Sequence, residues 1–68
     1  MNVKCTAVID NPQERELFIK KVKCLGVKTE VYGTTVAAEY IGYNNGLYTV
    51  LLSTFEDEPR HTIDIRNY

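Results

Sequence analysis

A chain of 68 residues with a formal net charge of −1 makes one small domain with a thin core, because a chain of this size buries only about 60% of the surface it exposes when unfolded. Two cysteines, Cys5 and Cys24, are too few for a disulfide scaffold, and with the single histidine, His61, they fall short of a four-ligand zinc site; no metal and no cofactor is expected. The composition, 44% apolar and 25% charged, is ordinary for a folded chain, no apolar stretch has the length of a membrane span, and the N-terminus lacks the basic-then-apolar pattern of a signal peptide, so a soluble, cytoplasmic protein with reduced thiols is expected.

The charge is unevenly spread. Residues 1–28 carry six basic side chains against three acidic ones, and residues 29–68 carry two against six. This asymmetry is too modest for a strongly basic nucleic-acid binder or for a polyanion mimic.

The first element is Val3 to Ile9, where Val3, Cys5, Ala7 and Ile9 alternate with Lys4, Thr6 and Val8, the period of a strand. It stops at Asp10-Asn11-Pro12. A helix follows, with Asn11 as N-cap, Pro12 in the first turn and Glu14 at a capping-box-like spacing. It runs to about Leu25, and Gly26 is its left-handed stop. Phe18, Ile19, Val22 and Leu25 share one arc of this helix, and Glu16, Lys20 and Lys23 lie on the far side.

Val27 to Tyr32 alternates again and predicts a second strand, parallel to the first through a crossover. Thr35 to Tyr43 and Leu47 to Phe55 both read as strands around Asn44-Asn45-Gly46, with Ala37-Ala38-Glu39 leaving a short helix as the alternative for 35–41. Glu56 to Arg60 reads as a loop, and His61 to Arg66 as a last strand.

The turn at Asn44-Asn45-Gly46 admits two registers. A two-residue turn opposes Asn44 to Leu47 and puts Glu39 on the face of Ile41, Val50 and Leu52; a three-residue turn opposes Tyr43 to Leu47 and gathers Val36, Ala38, Tyr40, Val50 and Leu52 on one charge-free face. The second is preferred, because the first buries an unpaired carboxylate. The opposite face then carries Ala37, Glu39, Ile41, Tyr43, Leu47, Thr49 and Leu51. With one helix in the chain that face is uncovered and half apolar, the character of an interaction surface.

Reactive clusters are lacking: there is no nucleophile elbow, no glycine-rich phosphate loop and no paired metal ligands. His61 reads as an exposed residue at a strand start. Cys5 and Cys24 read as two small buried hydrophobes, with a bridge between them as the alternative, since a helix returning over its strand brings its end near the strand start. Lys20, Lys21 and Lys23, with Lys28, have the charge to contact phosphates, although lysines late in a helix also simply complement its dipole. Tyr32, Tyr40, Tyr43, Tyr48 and Tyr68 suit stacking on single-stranded bases or burial in a protein interface; the acidic second half of the chain favours protein. Phe55-Glu56-Asp57-Glu58 reads as a solvated turn, or as a dock for a basic partner.

Together these readings predict an α+β two-layer sandwich over residues 1–68, one helix on a mainly antiparallel sheet of four or five strands in the order β-α-β-β-β-β. The expected function is a non-catalytic protein-binding module, a small regulator or inhibitor of the kind a phage or mobile element encodes. Its expected contact residues are Glu39, Ile41, Tyr43, Leu47 and Leu51, toward a protein partner or a second copy of itself. The alternatives are a nucleic-acid-binding protein using Lys20, Lys21, Lys23 and Lys28, and a small-molecule pocket beside the tyrosines.

Overall fold

The computed structural model describes residues 1–66; Tyr68 lies outside them. Asn11 begins the first helix as its chemistry predicts. Its side chain accepts from the backbone N–H groups of Gln13 (2.9 Å) and Glu14 (3.0 Å), and Pro12 follows where its missing N–H costs nothing. Glu14 lies in the first turn and Lys20, Lys21 and Lys23 in the last, each set complementing its end of the helix dipole. Beyond the helix, Gly26 takes a left-handed φ of 77°.

In chain order the described elements are β1 (Asn2–Val8), α1 (Pro12–Lys23), β2 (Lys28–Tyr32), β3 (Thr35–Ile41), α2 (Asn45–Glu56) and β4 (His61–Arg66). The strands form one antiparallel sheet in the order β2-β3-β1-β4. This is the connectivity of the split βαβ, or ferredoxin-like, arrangement. β1 and β2 run in the same direction as expected, but β3 is inserted between them.

One expected strand is a helix. Residues 47–55 form most of α2, and the Asn44-Asn45-Gly46 stretch is its start and not a hairpin. The Asn44 side chain accepts from the Leu47 N–H at 3.1 Å, so the asparagine acts as an N-cap. Neither hairpin register exists. The face assignment drawn from the preferred register nevertheless holds for β3: Val36 and Ala38 are buried under the helices, Tyr40 packs against the core, and Glu39 and Ile41 point the other way. Residues 35–41 are a strand and not the alternative short helix.

Both helices cover the same face of the sheet. Val3, Cys5 and Ala7 of β1 and Val36 and Ala38 of β3 meet Phe18, Ile19 and Val22 of α1 and Leu51 and Phe55 of α2. Burying a side chain such as Leu51 or Phe55 completely contributes about 1.5–3 kcal/mol. The Phe18 and Phe55 rings join the helices edge to face, with centroids 5.0 Å apart.

The passage from β3 into α2 is built around Tyr40. Its hydroxyl accepts from the Asn44 backbone N–H at 3.0 Å. The phenol lies against Gly42 so closely that a Cβ there would stand 2.6 Å from the tyrosine oxygen and 2.9 Å from the ring carbon bearing it. A side chain at position 42 therefore displaces the ring.

Candidate functional site

The uncovered face of the sheet is set by strand alternation. Residues 2, 4, 6 and 8 of β1 stand opposite residues 41, 39, 37 and 35 of β3, and the outer strands continue these rows. Across the sheet from β2 to β4, one row reads Lys28, Glu39, Lys4, Asp64, alternating in sign at every step. Opposite charges in directly facing cross-strand positions stabilise a sheet by a few tenths of a kcal/mol to about 1 kcal/mol each. The row on one side of it is Glu30, Ala37, Thr6, Thr62, and on the other Ile41, Asn2, Arg66.

Two ion pairs lie along strands on this face: Lys28 to Glu30 at 3.5 Å and Arg66 to Asp64 at 3.3 Å. Both are solvated, so each is worth at most about 1 kcal/mol. The Tyr32 hydroxyl donates to the Glu30 carboxylate. A shallow depression of about 170 Å³ lies over this region, with Lys4, Lys28, Glu30, Tyr32 and Glu39 in its walls. Pockets for drug-sized ligands start at about 300 Å³ and are mostly apolar, so this depression is small and highly charged by comparison.

The expected contact residues separate into two groups. Glu39 and Ile41 lie on the uncovered face, Ile41 being 69% exposed, and Tyr43 follows in the next loop at 82%. Leu47 and Leu51 belong to the other layer. Leu47 is half-buried in the first turn of α2, and Leu51 is fully buried in the core. The expected half-apolar face is thus a charged one, because its leucines belong to a helix behind the sheet. Lys4, Lys28, Glu30, Asp64 and Arg66 join Glu39 there, three cations with three anions. Alternation in the first and last strands carried that signal, but the extra strand assigned to 47–55 obscured which strands face one another.

The four lysines do not share a surface. Lys20, Lys21 and Lys23 are exposed at the end of α1, behind the sheet, whereas Lys28 is on the uncovered face beside Glu30. Of the described tyrosines, Tyr32 alone is on the uncovered face of the sheet, at its edge. On that face β1 carries Asn2, Lys4, Thr6 and Val8, and β3 carries Thr35, Ala37, Glu39 and Ile41, with no aromatic ring among them.

Cys5 is fully buried at the sheet centre and Cys24 is exposed at the end of α1; both thiols are free. The small-hydrophobe reading fits Cys5 and not Cys24. Burial first, and the Glu56 carboxylate second, push the Cys5 thiol up to about 11. His61 is exposed, with Nδ1 2.6 Å from the Glu58 carbonyl oxygen, which requires that nitrogen to carry the proton. Among the described residues, no three His, Cys, Asp or Glu side chains are grouped to hold a metal ion, and no helix is long and apolar enough to cross a membrane.

No family model, curated protein or solved structure matches this chain.

Proposed function

We propose that the protein is a non-catalytic protein-binding module, a small regulator or inhibitor, acting through the uncovered face of its sheet. The supporting observation is the sign-alternating row Lys28, Glu39, Lys4, Asp64, flanked along one side by exposed Ile41 in the next row and Tyr43 in the loop beyond. A face with equal numbers of cations and anions offers no net attraction to a phosphate backbone. It does suit another protein surface, where complementary charges orient the partner and an aromatic or aliphatic side chain at the border supplies the desolvated anchor. Sheet modules that bind single-stranded RNA stack bases on aromatics of the sheet, and the central strands here carry none on that side.

The test is affinity capture from the native host with the wild type and with an Ile41→Asp/Tyr43→Ser variant, each with and without nuclease. The expected result is a protein that survives nuclease and is lost with the variant. Capture that vanishes with nuclease, or that is identical for both proteins, overturns the reading. Ile41 and Tyr43 are exposed, so the variant keeps its core.

A further inference from the structure

The free edge of β2 has a chemical symmetry. Val27-Lys28-Thr29-Glu30-Val31 reads the same from either end if lysine and glutamate are treated as partners. An antiparallel copy of this strand centred on Thr29 sets Thr29 against Thr29, Lys28 against Glu30, Glu30 against Lys28, and Val27 against Val31 at both ends. We propose that two copies of the chain associate edge to edge through β2 in this register, about a two-fold axis at Thr29, joining two four-stranded sheets into one of eight strands.

The hydrogen-bonding phase supports the same centre. β2 and β3 are joined by only Gly33 and Thr34, and Tyr32 faces Thr35. Gly33, at φ 61°, suits the first central position of such a two-residue turn. In this hairpin the pair flanking the turn is hydrogen-bonded and the pattern alternates from there. The backbone groups of Tyr32, Glu30 and Lys28 are therefore used on β3, and those of Val31 and Thr29 point outward from the sheet. A two-fold ladder centred on Thr29 needs those outward groups: Thr29 bonds Thr29, and Val31 bonds Val27, the residue just before β2, whose carbonyl also accepts from the Thr29 hydroxyl of its own chain at 3.1 Å. Lys28 and Glu30 then fall in the non-hydrogen-bonded pairs, where side chains approach most closely.

The side chains agree with this placement on both faces. On the uncovered face each copy already holds Lys28 3.5 Å from Glu30, and the second copy lays the same pair alongside with reversed polarity, making a square of alternating charges. On the helix side, Val31 is 43% exposed at the edge, and Val27 of the second copy covers it. β2 has no proline and no bulge, pairing with β3 in unbroken register along its length, and its edge charges are the ones a second copy complements. The other edge, β4, carries the symmetry less fully: centred on Thr62 it faces Arg60 with Asp64, but Arg60 lies before the strand and pairs with Asp10 at 3.0 Å. Centred on Asp64 it opposes two carboxylates, and centred on Ile63 it opposes Arg66 to Arg60. Centred on Ile65 it matches Asp64 with Arg66, but over a stretch of only three described residues, Asp64 to Arg66.

This inference develops the self-association version of the proposed module and does not require binding on the uncovered face. A five-residue edge is a small interface of the weak, transient class, so it is tested at high concentration. Sedimentation equilibrium of the wild type is expected to show the weight-average mass rising from 7.8 kDa toward double that value. Lys28→Glu and Glu30→Lys each create two like-charge contacts across the axis and weaken association about tenfold. The double variant K28E/E30K restores the pairing and returns association to near the wild-type level. A wild type that stays monomeric overturns the proposal, and so does a dimer indifferent to the single reversals or not rescued by the double. Contacts between residues 28 and 30 of different copies, seen by NMR in a mixture of labelled and unlabelled wild type, provide a readout free of variant folding. The Ile41→Asp/Tyr43→Ser variant leaves β2 unchanged and dimerises normally, so failure of this inference and failure of the partner-binding reading are distinguishable.

Discussion

The two helices are of equal length, 12 residues each, and are specified in opposite ways. α1 is determined locally, with a doubly bonded N-cap, a proline in the first turn, Glu14 at the positive end and three lysines at the negative end. α2 has a single cap bond, a glycine in its first turn, no acid in that turn and no base in its last. It ends at Glu56, followed by Asp57 and Glu58, against its own dipole. Yet α2 places Leu51 and Phe55 in full burial, deeper than any α1 side chain except Val22. A helix this short is marginal alone in water, so α2 exists because the sheet accepts its apolar stripe. Signals along the chain and contacts across it are separate sources of helix stability.

The comparison is tested most strongly at Phe55. Phe55→Ala removes a fully buried ring together with its edge contact to Phe18 and should cost about 3–5 kcal/mol, a large share of the stability of a small domain. Urea unfolding measures it, and a loss under about 1 kcal/mol would contradict the dependence of α2 on packing. Next comes the junction leading into α2. Gly42→Ala pushes a methyl into the Tyr40 phenol and should cost about 1–3 kcal/mol, while Tyr40→Phe, which only deprives the Asn44 N–H of its acceptor, should cost about 1 kcal/mol. A Gly42→Ala loss under about 0.5 kcal/mol would mean that the ring is not held against Gly42. The smallest effect is a gain. Glu56→Lys relieves the unfavourable dipole contact and should stabilise by about 0.3–1 kcal/mol, whereas a charge reversal at Lys20 in α1 should lose a similar amount.

Glu56 also connects α2 to the sheet centre through Cys5. The folded protein holds this thiol up at about 11, against an ordinary 9.0, so the unfolded chain releases its proton first as pH rises. Ionisation of Cys5 therefore does not alter stability below about 9.0, and stability declines as pH climbs from there toward about 11. In a melting series over that window, Cys5→Ala should show a shallower decline than the wild type. In neutral solution a thiol reagent should label exposed Cys24 rapidly and Cys5 only on unfolding.

Much of the architecture was legible residue by residue. Alternation identified β1, β2, β3 and β4, and Asn11 with Pro12 announced α1. The cost of burying Glu39 assigned the faces of β3 correctly, although the hairpin used to reach that result does not exist. α2 was not legible, because residues 47–55 satisfy two periods at once. Tyr48, Val50 and Leu52 take one face with Thr49 and Ser53 on the other, as in a strand, while Leu47, Tyr48, Leu51, Leu52 and Phe55 form a helical stripe. Asn44-Asn45-Gly46 then suited a turn as well as a cap. Two of the five expected contact residues moved with that error: Leu47 and Leu51 went to the helical layer, whereas Glu39 and Ile41 stayed on the uncovered face with exposed Tyr43 in the loop beyond.

The position of β1 bears on how the protein is made. Of the four described strands the earliest in the chain lies inside the sheet, and its last partner is the final described element, with Asn2 opposite Arg66. While the chain emerges from the ribosome, the edge of β1 that faces β4 stays unpaired until His61–Arg66 arrives to complete the sheet. The fold closes late and over its longest loop, the slow regime for folding. A nascent chain stopped before β4 exposes a sticky central strand, and the time spent in that state during translation is when this small protein is most open to aggregation or to a chaperone.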